Sequence, residues 1–176
     1  MAPDFPWYTE VADGNLDQGD ILPGCPAGYL PLNWDPNSTD QEFEIDVLDL
    51  VVLTQACDLA HDKTEYVVCC PVFPHSHIDE EYAGRSKKYI NGQKDKILQG
   101  TCPGYAMIAA HDGEPPRPIS VVSFRHVFSI PKSFLQAVAE SRHLRLLPPY
   151  REHISQGFAR FFMRVGLPKP IPSFRA

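Results

Sequence analysis

The side chains best equipped for chemistry sit in one polar segment, Thr54-Gln55-Ala56-Cys57-Asp58-Leu59-Ala60-His61-Asp62-Lys63. A cysteine acts as a nucleophile only as the thiolate, which needs a base or a cation beside it, and His61 is placed to supply either. Cys57, Asp58 and His61 are therefore the candidate catalytic residues, and a Cys-dependent hydrolase is the chemistry they would serve. Two features oppose it. Asp58 follows Cys57 directly, so its charge works against a thiolate, and no oxyanion-hole motif flanks the pair. The competing reading is a half-buried cysteine beside an aspartate that caps a short turn by bonding backbone two residues on.

Metal chemistry is the other use of such residues. Cys57 and His61 would have to be joined by Cys69 or Cys70, by His75 and His77, or by Cys25. Structural zinc usually takes two closely spaced ligand pairs. Cys69 and Cys70 are instead neighbours on an extended segment, where adjacent side chains point to opposite faces. No metal and no other cofactor is expected.

These residues must be positioned by the two apolar runs on either side. Leu50-Val51-Val52-Leu53 and Tyr66-Val67-Val68-Cys69-Cys70 have the length and β-branched composition of buried strands. The first is approached by alternation at Phe43, Ile45 and Val47, a strand that enters half-exposed and finishes buried. Gly19-Asp20-Ile21-Leu22 reads as a strand cut short by Pro23-Gly24, and residues 25–39 as a long surface loop. Residues 75–100 allow short helices or a hairpin. Residues 105–110 and 119–130 read as strands, with a turn at 111–118 between them.

Beyond them the chain turns helical. Ser133 and Gln136 have the spacing of a capping box for a helix over 134–140. Pro148-Pro149 opens a second helix and Gly166-Leu167-Pro168 stops it. Its apolar stripe (Tyr150, Ile154, Phe158, Phe161, Phe162, Val165) is spaced to dock on a sheet or to enter a partner's groove. Arg151, Arg160 and Arg164 fall off that stripe and are the candidate partner-binding residues.

Composition sets the outer bounds. With 176 residues, 43% hydrophobic and 22% charged, the chain reads as one globular domain over residues 1–176. Within it, 19–130 would form the β part with long loops and 131–166 the helical part. No membrane segment and no signal peptide is legible, and five cysteines without a framework suggest reduced thiols, so a cytoplasmic location is expected. The net charge of −6 conceals a gradient. Residues 1–62 hold thirteen acids and no Lys or Arg, residues 63–140 are nearly balanced, and residues 141–176 hold seven basic residues against Glu152 alone. Either the two ends neutralise each other or each faces a different partner. The acidic first third opposes binding to phosphate and disfavours nucleic acid as the partner.

The order of these elements resembles the MazF/PemK family of bacterial toxins, compact SH3-like β-barrels with a C-terminal helix. Gly19-Asp20-Ile21-Leu22 is similar to that family's opening strand. Leu50-Val51-Val52-Leu53-Thr54 is similar to its central strand, and residues 66–71 to the strand after it. The resemblance implies a mainly β fold with C-terminal helices, a small SH3-like barrel carrying a docked amphipathic helix, a bacterial toxin–antitoxin or defence context, and a homodimer. It also implies an Arg before the central strand and a Thr or Ser after the next one to cleave RNA. Leu48 and Phe73 occupy those places, and no Arg precedes Lys63. Cleavage beside a 2′-OH needs a base and a cation for the developing charge. The expectation is therefore a toxin-fold protein that binds a protein partner without catalysis. The alternatives are a divergent ribonuclease relying on Arg125 or the Cys57 hydrolase.

Overall fold

The computed structural model describes residues 5–35, 37–38 and 42–163. Eight strands form one antiparallel sheet. They are β1 (Tyr8–Val11), β2 (Asp20–Tyr29), β3 (Glu44–Val52), β4 (Tyr66–Pro74), β5 (Tyr105–Ile108), β6 (Ser120–Ser123), β7 (Phe128–Pro131) and β8 (His143–Leu146). Five short helices accompany them: α1 (Ala56–Ala60), α2 (His77–Glu81), α3 (Lys87–Leu98), α4 (Lys132–Ala139) and α5 (Tyr150–Phe162). The sheet runs β1-β8-β2-β3-β4-β6-β5, and β7 pairs with β4 beside β6.

The central strands are apolar because both of their faces are covered. Leu50 and Val52 point to one side, against Leu22, Cys69, Ile130 and, from α4, Leu135 and Ala139. Val51 and Leu53 point to the other, against Cys70, Val72, Phe124, Leu146 and, from α5, Ile154. Each such side chain, fully buried, contributes roughly 1.5–3 kcal/mol. Cys69 and Cys70 thus lie on opposite faces, as their adjacency requires. A third cluster (Ile78, Ile97, Tyr105, Val121) seats α2 and α3 against β5 and β6.

The sheet is open. Its end strands do not pair, although the Tyr8 hydroxyl on β1 donates 2.6 Å to the Ala109 carbonyl just past β5. Ile154 of α5 is buried in the core, with Tyr150, Phe158 and Phe161 partly buried beside it, so the helix docks on the sheet; Phe162 is exposed. Val165 and the Gly166-Leu167-Pro168 stop lie outside the described residues.

Several expectations from the sequence are corrected. Pro23 and Gly24 do not end β2. The register shifts between Leu22 and Cys25, and the strand continues opposite 44–48. Proline is tolerated at a bulge, and Gly24 takes the φ of +64° that a β-carbon would strain. Residues 25–29 are therefore strand rather than loop. Residues 119–130 form two strands, because β6 bonds Val72–Pro74 of β4 while β7 bonds Tyr66–Cys69. Residues 75–100, for which the sequence allows short helices or a hairpin, form two helices. No Ser133 capping box forms. The helix α4 starts at Lys132, directly after β7, and the Lys132 N–H donates 2.8 Å to the carbonyl of Glu65, just before β4. Finally, β8 interrupts the helical C-terminal part and places it in the sheet, between β1 and β2.

Candidate functional site

The candidate catalytic segment folds as the one-and-a-half turns of α1 between β3 and β4. Thr54 anchors its start, its hydroxyl accepting the Val68 N–H at 2.8 Å, and Leu59 enters the core. At its end Asp62 adopts a φ of +55°, and Lys132 ties the turn to α4 through the Leu59 carbonyl (2.7 Å) and the Asp62 carboxylate (2.8 Å). The bond from Lys132 holds the Asp62 carboxyl below its ordinary pKa. The segment is pinned at both ends.

Cys57 is exposed. Its sulfur lies 3.7 Å from the Gln55 side-chain amide oxygen and 3.7 Å from an Asp58 carboxylate oxygen, both hydrogen-bond acceptors. Asp58 is 3.4 Å from Lys63. The His61 ring forms no hydrogen bond or ion pair among the described residues, and only its backbone N–H is engaged, by the Cys57 carbonyl. The structure brings Cys57 and Asp58 together and leaves His61 apart from the sulfur, so no base faces the nucleophile. The remaining cysteines are free and set in packed surroundings. Burial pushes the Cys25 thiol up to about 11 and the Cys70 thiol to about 12. Among the described residues no three His, Cys, Asp or Glu side chains gather as a metal ion requires.

Among the described residues, part of the charge gradient is neutralised within the molecule, where Arg142, Arg145 and Arg151 pair with Glu10, Asp20 and Asp17. Asp20 and His143 are fully buried, and Arg145 bonds both Asp20 oxygens and the Asn15 carbonyl. Asp20 also accepts the Asp17 N–H at 2.7 Å. His143 donates from Nδ1 to the Ser141 carbonyl at 2.9 Å and presents Nε2 to Asp20 at 3.5 Å. Burial works against a charged ring, but Asp20 and Ser141 outweigh it, and the His143 pKa lies above its ordinary value. Further pairs join Asp17 to Arg151, Glu10 to Arg142 and to His111, and Asp49 to Arg117. Sequence reasoning did not single out this knot, although the alternation His143-Leu144-Arg145-Leu146 is a legible strand signal.

Of the three candidate partner-binding arginines, Arg151 is engaged by Asp17 and Glu152. Arg160 is exposed and borders a cleft of about 750 Å³ between α5, β5 and the end of α3, floored by Ile97, Met107 and Phe124. Arg164 lies outside the described residues. Arg125 is committed to the Glu81 carboxylate at 2.7 Å and lies over the Tyr105 ring.

The region left unsatisfied is the far half of the β2–β3 pair. Among the described residues, 25–29 and 44–48 pair as strands only with each other, because β8 reaches no further than Asp20 and Ile21 of β2, and β4 no further than Asp49 of β3. One face of this ribbon carries Ile45 (65% exposed) and Val47 (71%) opposite Gly28 and Pro26, with Phe43 (64%) just ahead. The other face carries Glu44, Asp46 and Tyr29. The Tyr29 hydroxyl donates 3.1 Å to Asp46, which together with Glu44 pushes its pKa up to about 12. Neither Glu44 nor Asp46 has an ion pair among the described residues. The alternation of Phe43, Ile45 and Val47 was visible in the sequence, but their exposure was not.

No model of a known protein family matches this chain, and no curated protein sequence does.

Proposed function

We propose that this chain is a non-catalytic binding module of toxin-like fold that engages a protein partner, in a bacterial defence or toxin–antitoxin-like assembly. The observation that carries the reading is the ribbon, which displays three large apolar side chains that the rest of the fold leaves uncovered. Isolated exposed apolar residues are ordinary, whereas an alternating row on one face of a two-stranded ribbon makes a contiguous surface.

The two positions that would cleave RNA in the resembling family support the absence of catalysis. Leu48 packs against the core, and Phe73 stacks on His77 with ring centres 4.1 Å apart. Neither position offers a proton or a charge. The toxin-like, SH3-like reading itself is supported by the strand order around β2, β3 and β4 and by the Tyr8–Ala109 bond that draws the sheet ends together.

The test pairs two measurements on the purified chain. Total RNA is expected to remain intact, and cleavage lost in Arg125→Ala would replace the proposal with a ribonuclease. Affinity capture from cells of the native host is expected to recover a protein that the doubly substituted Ile45→Ser, Val47→Ser chain does not retain. Equal retention by both chains would sink the reading.

A further inference from the structure

Among the described residues, strands β2 and β3 are paired on both sides near the core and only with each other beyond it. From Glu44 to Leu48 the side of β3 facing away from β2 carries main-chain groups with no described strand against them. The β3–β4 pairing ends at Val72, and Phe73 and Pro74 pair only with β6, on the other side of β4. Such an edge is a template for another strand, and natural proteins usually block it with lysine, proline or a short length. Here β3 has neither lysine nor proline on its free stretch.

The side chains define what would fit. A strand added beside β3 places alternate residues next to Ile45 and Val47 on one face and next to Glu44 and Asp46 on the other. Most other acids of the first third that lie near a cation are already paired with it: Glu10, Asp17, Asp20, Asp49, Asp58 and Asp62 each have a basic partner. Glu44 and Asp46 have no ion pair among the described residues. Self-association through this edge would set these carboxylates against their own copies, and phosphate would be repelled by them, so a second copy and a nucleic acid are both disfavoured.

We infer that the free edge of β3 at residues 44–48 is a strand-addition site for an extended segment of a protein partner in which apolar residues alternate with Lys or Arg. The inference rests on the binding-module reading and specifies its partner and mode. Main-chain bonds to the edge supply affinity, the apolar residues cover Ile45 and Val47, and the basic residues neutralise Glu44 and Asp46.

The probe is an octapeptide of alternating lysine and valine, titrated against the full chain at low salt by fluorescence anisotropy, with amide hydrogen exchange read on the complex. Binding is expected to slow exchange within residues 44–48. Replacing lysine by glutamate, or substituting Glu44→Gln with Asp46→Gln, is expected to weaken binding by about tenfold. Methylating every peptide nitrogen keeps side chains and charge but removes the donors, and is expected to abolish it. No binding by the alternating peptide, equal binding by the methylated one, or protection elsewhere on the chain would each overturn the inference. A concentration-dependent dimer protecting the same amides without peptide would assign the edge to a second copy and likewise overturn it. The binding-module reading fails separately, when the Ile45→Ser, Val47→Ser chain still retains the captured protein. Loss of that protein together with no peptide binding would reject strand addition alone.

Discussion

The two halves of the β2–β3 pair are built from the same chain segments and have opposite fates. Near the core, Ile21, Leu22, Leu50, Val51 and Val52 are covered on both faces, and Asp20 is neutralised by Arg145 and His143. Beyond the bulge at Pro23-Gly24, Cys25 and Ala27 stay buried on one face, but Phe43, Ile45 and Val47 face solvent, and Glu44 and Asp46 have no ion pair among the described residues. The difference is one of neighbours rather than of residue type. Valine is buried at position 51 and exposed at 47 because Phe124, Leu146 and, from α5, Ile154 pack over that face in the first half, whereas the second half lies outside that cluster. The hairpin serves stability at one end and presentation at the other.

That contrast can be broken most sharply at the buried knot. Arg145→Leu leaves the Asp20 carboxylate buried beside His143 alone and is expected to cost about 3–5 kcal/mol, measured by urea unfolding. Charge reversal of Glu44 in the ribbon should cost almost nothing in the same assay. If both substitutions were equally mild, the knot would not hold the sheet.

The apolar residues give the next comparison. Leu50→Ala removes a side chain packed between β2, β4 and α4 and is expected to lose about 2–5 kcal/mol. Val47→Ala, three residues earlier on the same strand, should change stability by less than about 0.5 kcal/mol. A large loss at Val47 would mean that the ribbon is covered in solution.

At the junction between the halves, Gly24→Ala puts a β-carbon on a residue with φ +64°, where the nearest side chain, Val47, leaves room at 4.0 Å. Conformational strain alone then acts, and about 1 kcal/mol is expected. A neutral outcome would show that the bulge can be rebuilt without left-handed backbone.

The knot also carries a pH signature. Because the folded state raises the His143 pKa, its contribution is complete below the ordinary value of about 6.5 and is lost as pH rises through the higher folded value. Stability should therefore decline across that interval in the native chain, and His143→Gln should flatten the decline. An unchanged pH profile in His143→Gln would place the titration elsewhere.

Much of the central fold was legible from periodicity. The doubly apolar runs at 50–53 and 66–70 could be satisfied only between two covered faces, and the stripe on α5 needed a sheet to dock on. The candidate chemistry was less legible. Cys57, Asp58 and His61 are close in sequence, yet the turn of α1 sends the sulfur toward acceptors and leaves the His61 ring apart from it. Short strands such as β1 and β8 escaped because four residues of alternation among charged neighbours carry little signal on their own. With β8 went the knot, since Asp20 and Arg145 stand 125 positions apart in the chain.

The sequence by itself determined the segments with strong local preference: which runs are strands, where α5 begins, that adjacent Cys69 and Cys70 must part, and that acid and base are segregated along the chain. The tertiary structure alone decided whether that segregation faces inward or outward. Long-range pairing neutralises Asp17, Asp20 and Asp49, while Glu44 and Asp46 have no ion pair among the described residues. Periodicity says which side chains share a face, but only the elements packed across that face determine whether it is buried.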